Sequence, residues 1–147
     1  MEPILPTDDV VPVLNEILRA ELSGVVRYTH YSLVITGPNR IPLVDFMQTQ
    51  AAESLQHATQ AGEILTGLGG HPDQGIAPIE ETHDHSVDAI LRESITHEQR
   101  AINLYRRLLK LAADRSIYLE EYARTQIGAE EGHLIELNKM LRDYAIS

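Results

Sequence analysis

Gly128-Ala129-Glu130-Glu131-Gly132-His133-Leu134-Ile135-Glu136-Leu137 is the stretch on which the fold of this chain turns. It sits in a run of helical period whose apolar stripe is Leu119, Ala123, Gln126/Ile127, Glu130, His133/Leu134, Leu137, Met140/Leu141 and Tyr144. Two slots that call for aliphatic side chains hold Glu130 and His133 instead. At i, i+3 they share one helix face. An unpaired ionised carboxylate in such a slot is very costly, so Glu130 needs a partner or a cation.

The same substitution recurs along the chain. The stripe Leu14, Ile17/Leu18, Glu21, Val25, Tyr28 carries Glu21. The stripe Phe46/Met47, Gln50, Glu53/Ser54, His57, Ala61, Ile64/Leu65, Leu68 carries His57. The stripe Val87, Leu91, Ser94, Glu98, Ala101/Ile102, Tyr105, Leu108, Ala112 carries Glu98. These periodicities predict four helices, over about residues 7–36, 42–68, 84–113 and 116–144. Thr7-Asp8-Asp9 would cap the first, and Gly37-Pro38 would stop it. Pro42 would open the second, and Gly69-Gly70 would end it. Short links make each helix pair an antiparallel hairpin, and a long one, about residues 69–83, crosses the bundle lengthwise. The expectation is one all-α domain over 1–147. The spacing also repeats: Glu53 follows Glu21 by the same 32 positions as Glu130 follows Glu98.

Each polar intruder lies near the middle of its helix, and in an antiparallel bundle the middles coincide in height. Carboxylates and imidazoles from four helices therefore converge on one spot. Di-metal carboxylate bundles take one Glu from each of two helices and Glu-x-x-His from each of the other two. Hard oxygen with borderline nitrogen suits iron or manganese, and zinc stays open. The plainer reading of an inward Glu is a bridge to a buried Arg, with Arg27 and Arg124 as candidates. It becomes strained when five such residues meet at one height. His30, His71, His83, His85 and His97 read as surface residues.

Composition closes other routes. The 147 residues contain no Cys, which removes disulfides, thiolate metal sites and a cysteine nucleophile. A formal charge of -10, with no Trp and one Phe, argues against nucleic-acid binding. No run approaches the roughly 20 apolar residues of a membrane span. Met1-Glu-Pro-Ile-Leu-Pro lacks the pattern of a secretory signal, so a cytosolic protein is expected.

Leu14-Asn15-Glu16-Ile17-Leu18 through Glu21-Leu22 to Tyr28 resembles the first helix of bacterioferritins. Glu130-Glu131-Gly132-His133 resembles their fourth-helix motif, and Glu98 falls where their third-helix ligand belongs. His57-Ala58 followed by Gly67-Leu68-Gly69-Gly70-His71-Pro72 is similar to the end of their second helix. The resemblance covers about residues 8–145. It implies a ferritin-like four-helix bundle and oxidation of ferrous iron by oxygen or peroxide. It also implies two-fold dimers that assemble into iron-storing shells. Residue by residue it implies Glu21 with His57 and Glu98 with His133 as terminal ligands, Glu130 as bridge, and Tyr28 beside the metals. A DNA-protecting miniferritin fits less well, since there is no basic tail and those proteins place ligands between subunits.

Three departures qualify the resemblance. The second-helix motif should be Glu-x-x-His, but position 54 is Ser. Glu53 and Ser54 lie about 40° and 60° to either side of His57 on a helix. Glu53 either replaces the missing carboxylate or faces a neighbouring cavity, as the family's acidic residue there does on the shell's inner surface. The methionine that ligates haem would align with Leu55, so no haem is expected. The chain stops at Ser147 where a short fifth helix would follow. Two alternatives to iron oxidation and storage therefore stay open: a non-storage di-metal oxidoreductase, and a structural subunit whose site is impaired at position 54.

Overall fold

The computed structural model describes residues 4–142. Its elements are α1 (Thr7–Val34), α2 (Arg40–Gly67), α3 (Val87–Ala112) and α4 (Ile117–Leu141), and no strand occurs among the described residues. The expected all-α four-helix architecture is present. The expectations for Tyr144 and for the end of the chain lie outside the described residues.

The helix ends follow local chemistry, with two departures from expectation. Residue 6 precedes α1 without a side-chain cap, and Asp8 and Asp9 instead put negative charge in its first turn, where the helix dipole favours it. α2 begins at Arg40 rather than Pro42, leaving Pro42 in a first turn that lacks intrahelical N–H partners anyway. The end of α2 is as expected. Gly69 has φ +86°, and its N–H bonds Thr66 O at 3.0 Å while Gly70 N–H bonds Leu65 O at 3.0 Å. This is the paired bonding of a Schellman cap. Ser116 Oγ accepts from Leu119 N–H at 3.2 Å and caps α4.

The buried apolar residues form two clusters. One joins Leu14 and Ile17 of α1 to Ala61 and Leu65 of α2, Tyr105 and Leu108 of α3, and Leu119 and Ala123 of α4. The other joins Tyr28 and Tyr31 to Leu43 and Met47, Ile90 and Leu91, and Leu137 and Leu141. Each cluster takes opposite halves of α1 and α2, and opposite halves of α3 and α4, as two antiparallel hairpins require. α2 and α3 contribute the same half, because the crossover makes them parallel. Between the clusters lies a buried polar belt: Glu21, Ser54, His57, Glu98, Gln126 and Glu130.

Residues 68–86 form the crossover, and it runs along α1. Asn15 Nδ2 donates to His71 O at 3.1 Å, Arg19 pairs with Asp73 at 2.5 Å, Ala77 N–H bonds Arg19 O at 3.0 Å, and His30 meets Glu81 at 2.9 Å. The chain thus travels from the start of α1 to its end, the full length of the bundle. Backbones pack closely between α1 and α2, α3 and α4, and α1 and α3. Among the described residues no Cα of α2 comes within 8 Å of one in α4. No helix of the described residues is long and apolar enough to cross a membrane.

Candidate metal centre

The α2–α4 gap is spanned by polar side chains. His57 Nδ1 of α2 lies 2.9 Å from Glu21 Oε2 of α1 and 3.3 Å from Glu130 Oε1 of α4. His133 Nδ1 of α4 lies 3.4 Å from Glu130 Oε2 and 3.9 Å from Glu98 Oε2 of α3. Two three-residue groups result, Glu21–His57–Glu130 and Glu98–Glu130–His133, each with ligand atoms within 4.8 Å of one another. Glu130 belongs to both, one oxygen toward each histidine. The five residues expected at one height are brought together. Their near-symmetry follows from the repeated hairpin.

The hydrogen bonding is incomplete in an informative way. Glu21 Oε2, Glu130 Oε2 and His133 Nδ1 are closed off from solvent and have no hydrogen-bond partner. Buried polar atoms are almost always bonded. A nitrogen facing two carboxylates carries one proton at most and satisfies at most one of them. A cation between the groups satisfies all of these atoms at once, so the donor set fits divalent metal. The alternative of carboxylate–arginine bridges is not what forms. Arg27 Nη1 contacts Tyr31 Oη at 3.4 Å, and Arg124 sits by Glu120 at 3.9 Å.

Of the two positions anticipated for Glu53, replacing the carboxylate missing at 54 or facing outward, the geometry gives an outward-lying side chain that still touches the site. It stands outside both groups, half-exposed, with Oε2 2.8 Å from His133 Nε2. A proton held on Nε2 by Glu53 leaves the Nδ1 lone pair facing Glu98 and Glu130. Metal-binding histidines commonly use their second nitrogen in this way. Ser54 is buried and lies against Gly24: a Cβ on Gly24 would sit 2.8 Å from Ser54 Oγ and 2.8 Å from His97 Nε2. Ser54 of α2 and His97 of α3 thus crowd the same point beside Gly24.

His97 is therefore not a surface residue, as its sequence context suggested. It is 5% exposed and stands edge-on to Tyr28, with ring centroids 5.7 Å apart. Burial, reinforced by Arg27, lowers its pKa to about 4, so it is neutral near pH 7. Its position four residues before Ala101 on the apolar stripe was the available signal. Tyr28 donates its hydroxyl proton to Glu98 Oε1 in a very short hydrogen bond. Burial, with Glu130 and Glu21 nearby, raises the Tyr28 pKa well above its usual value. It stays a neutral donor that fixes the Glu98 carboxylate.

Comparisons with known proteins bear on the family and the fold. The ferritin-like domain family matches residues 12–146. No curated protein sequence matches the chain. Among solved structures, a ferritin-like diiron-carboxylate protein from Bacillus anthracis superposes with a TM-score of 0.87 at 25% identity, covering 92% of this chain and 96% of that one. The bacterioferritin-related dodecameric thioferritin of Bacteroides fragilis superposes with a TM-score of 0.89 at 20% identity, covering 96% and 89%. Rhodobacter capsulatus bacterioferritin gives a TM-score of 0.83 at 22% identity, covering 99% and 89%.

Proposed function

Because the chain belongs to the ferritin-like domain family, we propose that it binds iron at the intrabundle centre, oxidises ferrous iron there and passes it to storage in an oligomer. The observation that carries this reading is Glu130, whose two oxygens face His57 and His133 across a helix gap that no backbone contact closes. Glu21 with His57 and Glu98 with His133 would hold one ion each, and Glu130 would bridge them. Iron so bound supplies a one-electron couple at each ion, with oxygen or peroxide as the acceptor. Tyr28 holds Glu98 in place, and Glu53 holds His133 with its Nδ1 lone pair inward. All five ligands come from one chain, as in an intrabundle centre. Bacillus anthracis contributes a diiron-carboxylate relative, which favours iron over manganese or zinc.

Two measurements test this. Anaerobic Fe(II) should raise the melting temperature, since a ligand binding only the folded state adds RT ln(1 + [L]/Kd). The double variant Glu130→Ala, His133→Ala should lose that rise and any oxygen-dependent oxidation. A double variant that answers iron as the parent does would sink the intrabundle centre. The non-storage alternative predicts turnover with no iron retained beyond the bound pair after gel filtration. The impaired-subunit alternative predicts no oxidation in the parent protein.

A further inference from the structure

We propose a second divalent-cation site, of the zinc class, where the end of the crossover docks on α1: His30 from the helix, Glu81 and His85 from the loop. His30 Nε2 lies 2.9 Å from Glu81 Oε2, and His85 Nε2 lies 3.7 Å from Glu81 Oε1. The three ligand atoms fall within 4.8 Å of one another. Tetrahedral zinc with bonds near 2.0–2.1 Å sets its ligand atoms about 3.3 Å apart, and the two imidazole nitrogens stand 2.9 Å and 3.7 Å from the carboxylate, one at each of its oxygens. The two imidazole rings stand edge-on with centroids 5.6 Å apart, so both nitrogens reach the carboxylate without the rings colliding.

The atom that asks for an ion is His30 Nε2. It is closed off from solvent and has no hydrogen-bond partner, although a carboxylate oxygen sits 2.9 Å away. That contact lacks hydrogen-bond geometry, as when a nitrogen lone pair faces an oxygen with nothing between them. The carboxylate is fixed in orientation, since Glu81 Oε1 also accepts from the His83 N–H at 2.6 Å. His83 has φ 58°, a left-handed conformation uncommon outside glycine, and this turn brings Glu81 and His85 to the same side. Glu80, Asp84 and Glu93 line the same hollow and favour a cation, against Arg27. Two imidazoles and one carboxylate suit zinc or cobalt(II), with the fourth position left to water. Magnesium and calcium prefer oxygen alone.

No residue is shared with the central groups, so the two sites separate experimentally. The bound ion would fasten the last part of a crossover whose other anchors to α1 lie between His71 and Ala77. The test uses cobalt(II) with the full chain. The parent should bind one ion more per chain than the variant Glu81→Gln, His85→Ala, and that ion should show the intense visible absorption of tetrahedral cobalt. A chain whose centre is emptied by His57→Ala, Glu130→Ala and His133→Ala should keep this absorption. In the parent, zinc should slow amide exchange over residues 79–86, and in Glu81→Gln alone it should not. Equal stoichiometry in parent and crossover variant, with unchanged exchange over 79–86, would overturn the site. The iron-induced rise in melting temperature should persist in the crossover variant, so loss of one site does not speak for the other.

Discussion

One proton shared between His57 and two carboxylates governs how the centre answers pH. Burial alone would lower the His57 pKa, but bonding to Glu130 and Glu21 outweighs it and lifts the value from 6.5 to about 9. Burial, with Glu130 close by, lifts Glu21 from 4.5 to about 7. The His57 proton therefore stabilises the metal-free fold fully below its unfolded pKa, and this is lost as pH rises through about 9. Glu21 is favoured neutral, so its ionisation on the way through about 7 also works against the metal-free fold. Both signs point the same way. Buried neutral His97, its pKa lowered from 6.5 to about 4, works the other way and offsets Glu21 below about pH 6.5. Chelator-treated protein should therefore lose melting temperature mainly between about pH 7 and about pH 9, while manganese(II) affinity should climb as protons leave the ligands. A flat affinity profile would contradict the assigned ligands. At this scale Glu21, His57, Glu98, Glu130 and His133 were legible in the sequence, because a charged residue in an aliphatic slot is conspicuous. The place of Glu53 was not, because helical angle fixes a direction and not which neighbouring helix the carboxylate meets. His97 was missed because its position beside the stripe gives no measure of how closely α1 approaches α3.

That approach depends on Gly24. Mid-helix glycine costs about 1 kcal/mol relative to alanine, yet a Cβ there would meet Ser54 Oγ and His97 Nε2 at 2.8 Å each. Overpacking of this kind costs about 1–3 kcal/mol. Gly24→Ala should thus lower unfolding free energy by about 1 kcal/mol, the difference of the two. Gly62, with nothing within 4 Å of its would-be Cβ, should instead gain about 0.5–1 kcal/mol as alanine. Denaturant midpoints of the two variants check the opposite signs. The helices and the crossover were readable from period and from Gly69-Gly70. Tyr31 continues the α1 stripe at i+3 from Tyr28; it is 5% exposed, packed on the ring of Tyr28 and flanked by His30.

Across the whole molecule, large apolar side chains remain on the surface: Val26 at 46% exposure, Leu33 at 71%, Ile117 at 79% and Tyr118 at 70%. Val26 and Leu33 stand two turns apart on α1 and favour a subunit contact. Sedimentation should give a mass of at least two 16.4 kDa chains, and Val26→Glu with Leu33→Glu should reduce it. A single monomeric species of the parent at micromolar concentration would rule this out. Three of the bundle's four long edges are zipped by backbone packing, and the fourth, α2 against α4, is bridged by side chains: His57 to Glu130, Glu53 to His133 and Gln60 to Gln126. Ions held between His57 and Glu130 would tie these two rods across an edge that no backbone contact closes, as a clasp does. Amide exchange along α2 and α4, compared with and without bound metal, should be slower in the loaded protein, and equal exchange would show that this edge does not respond to the ions.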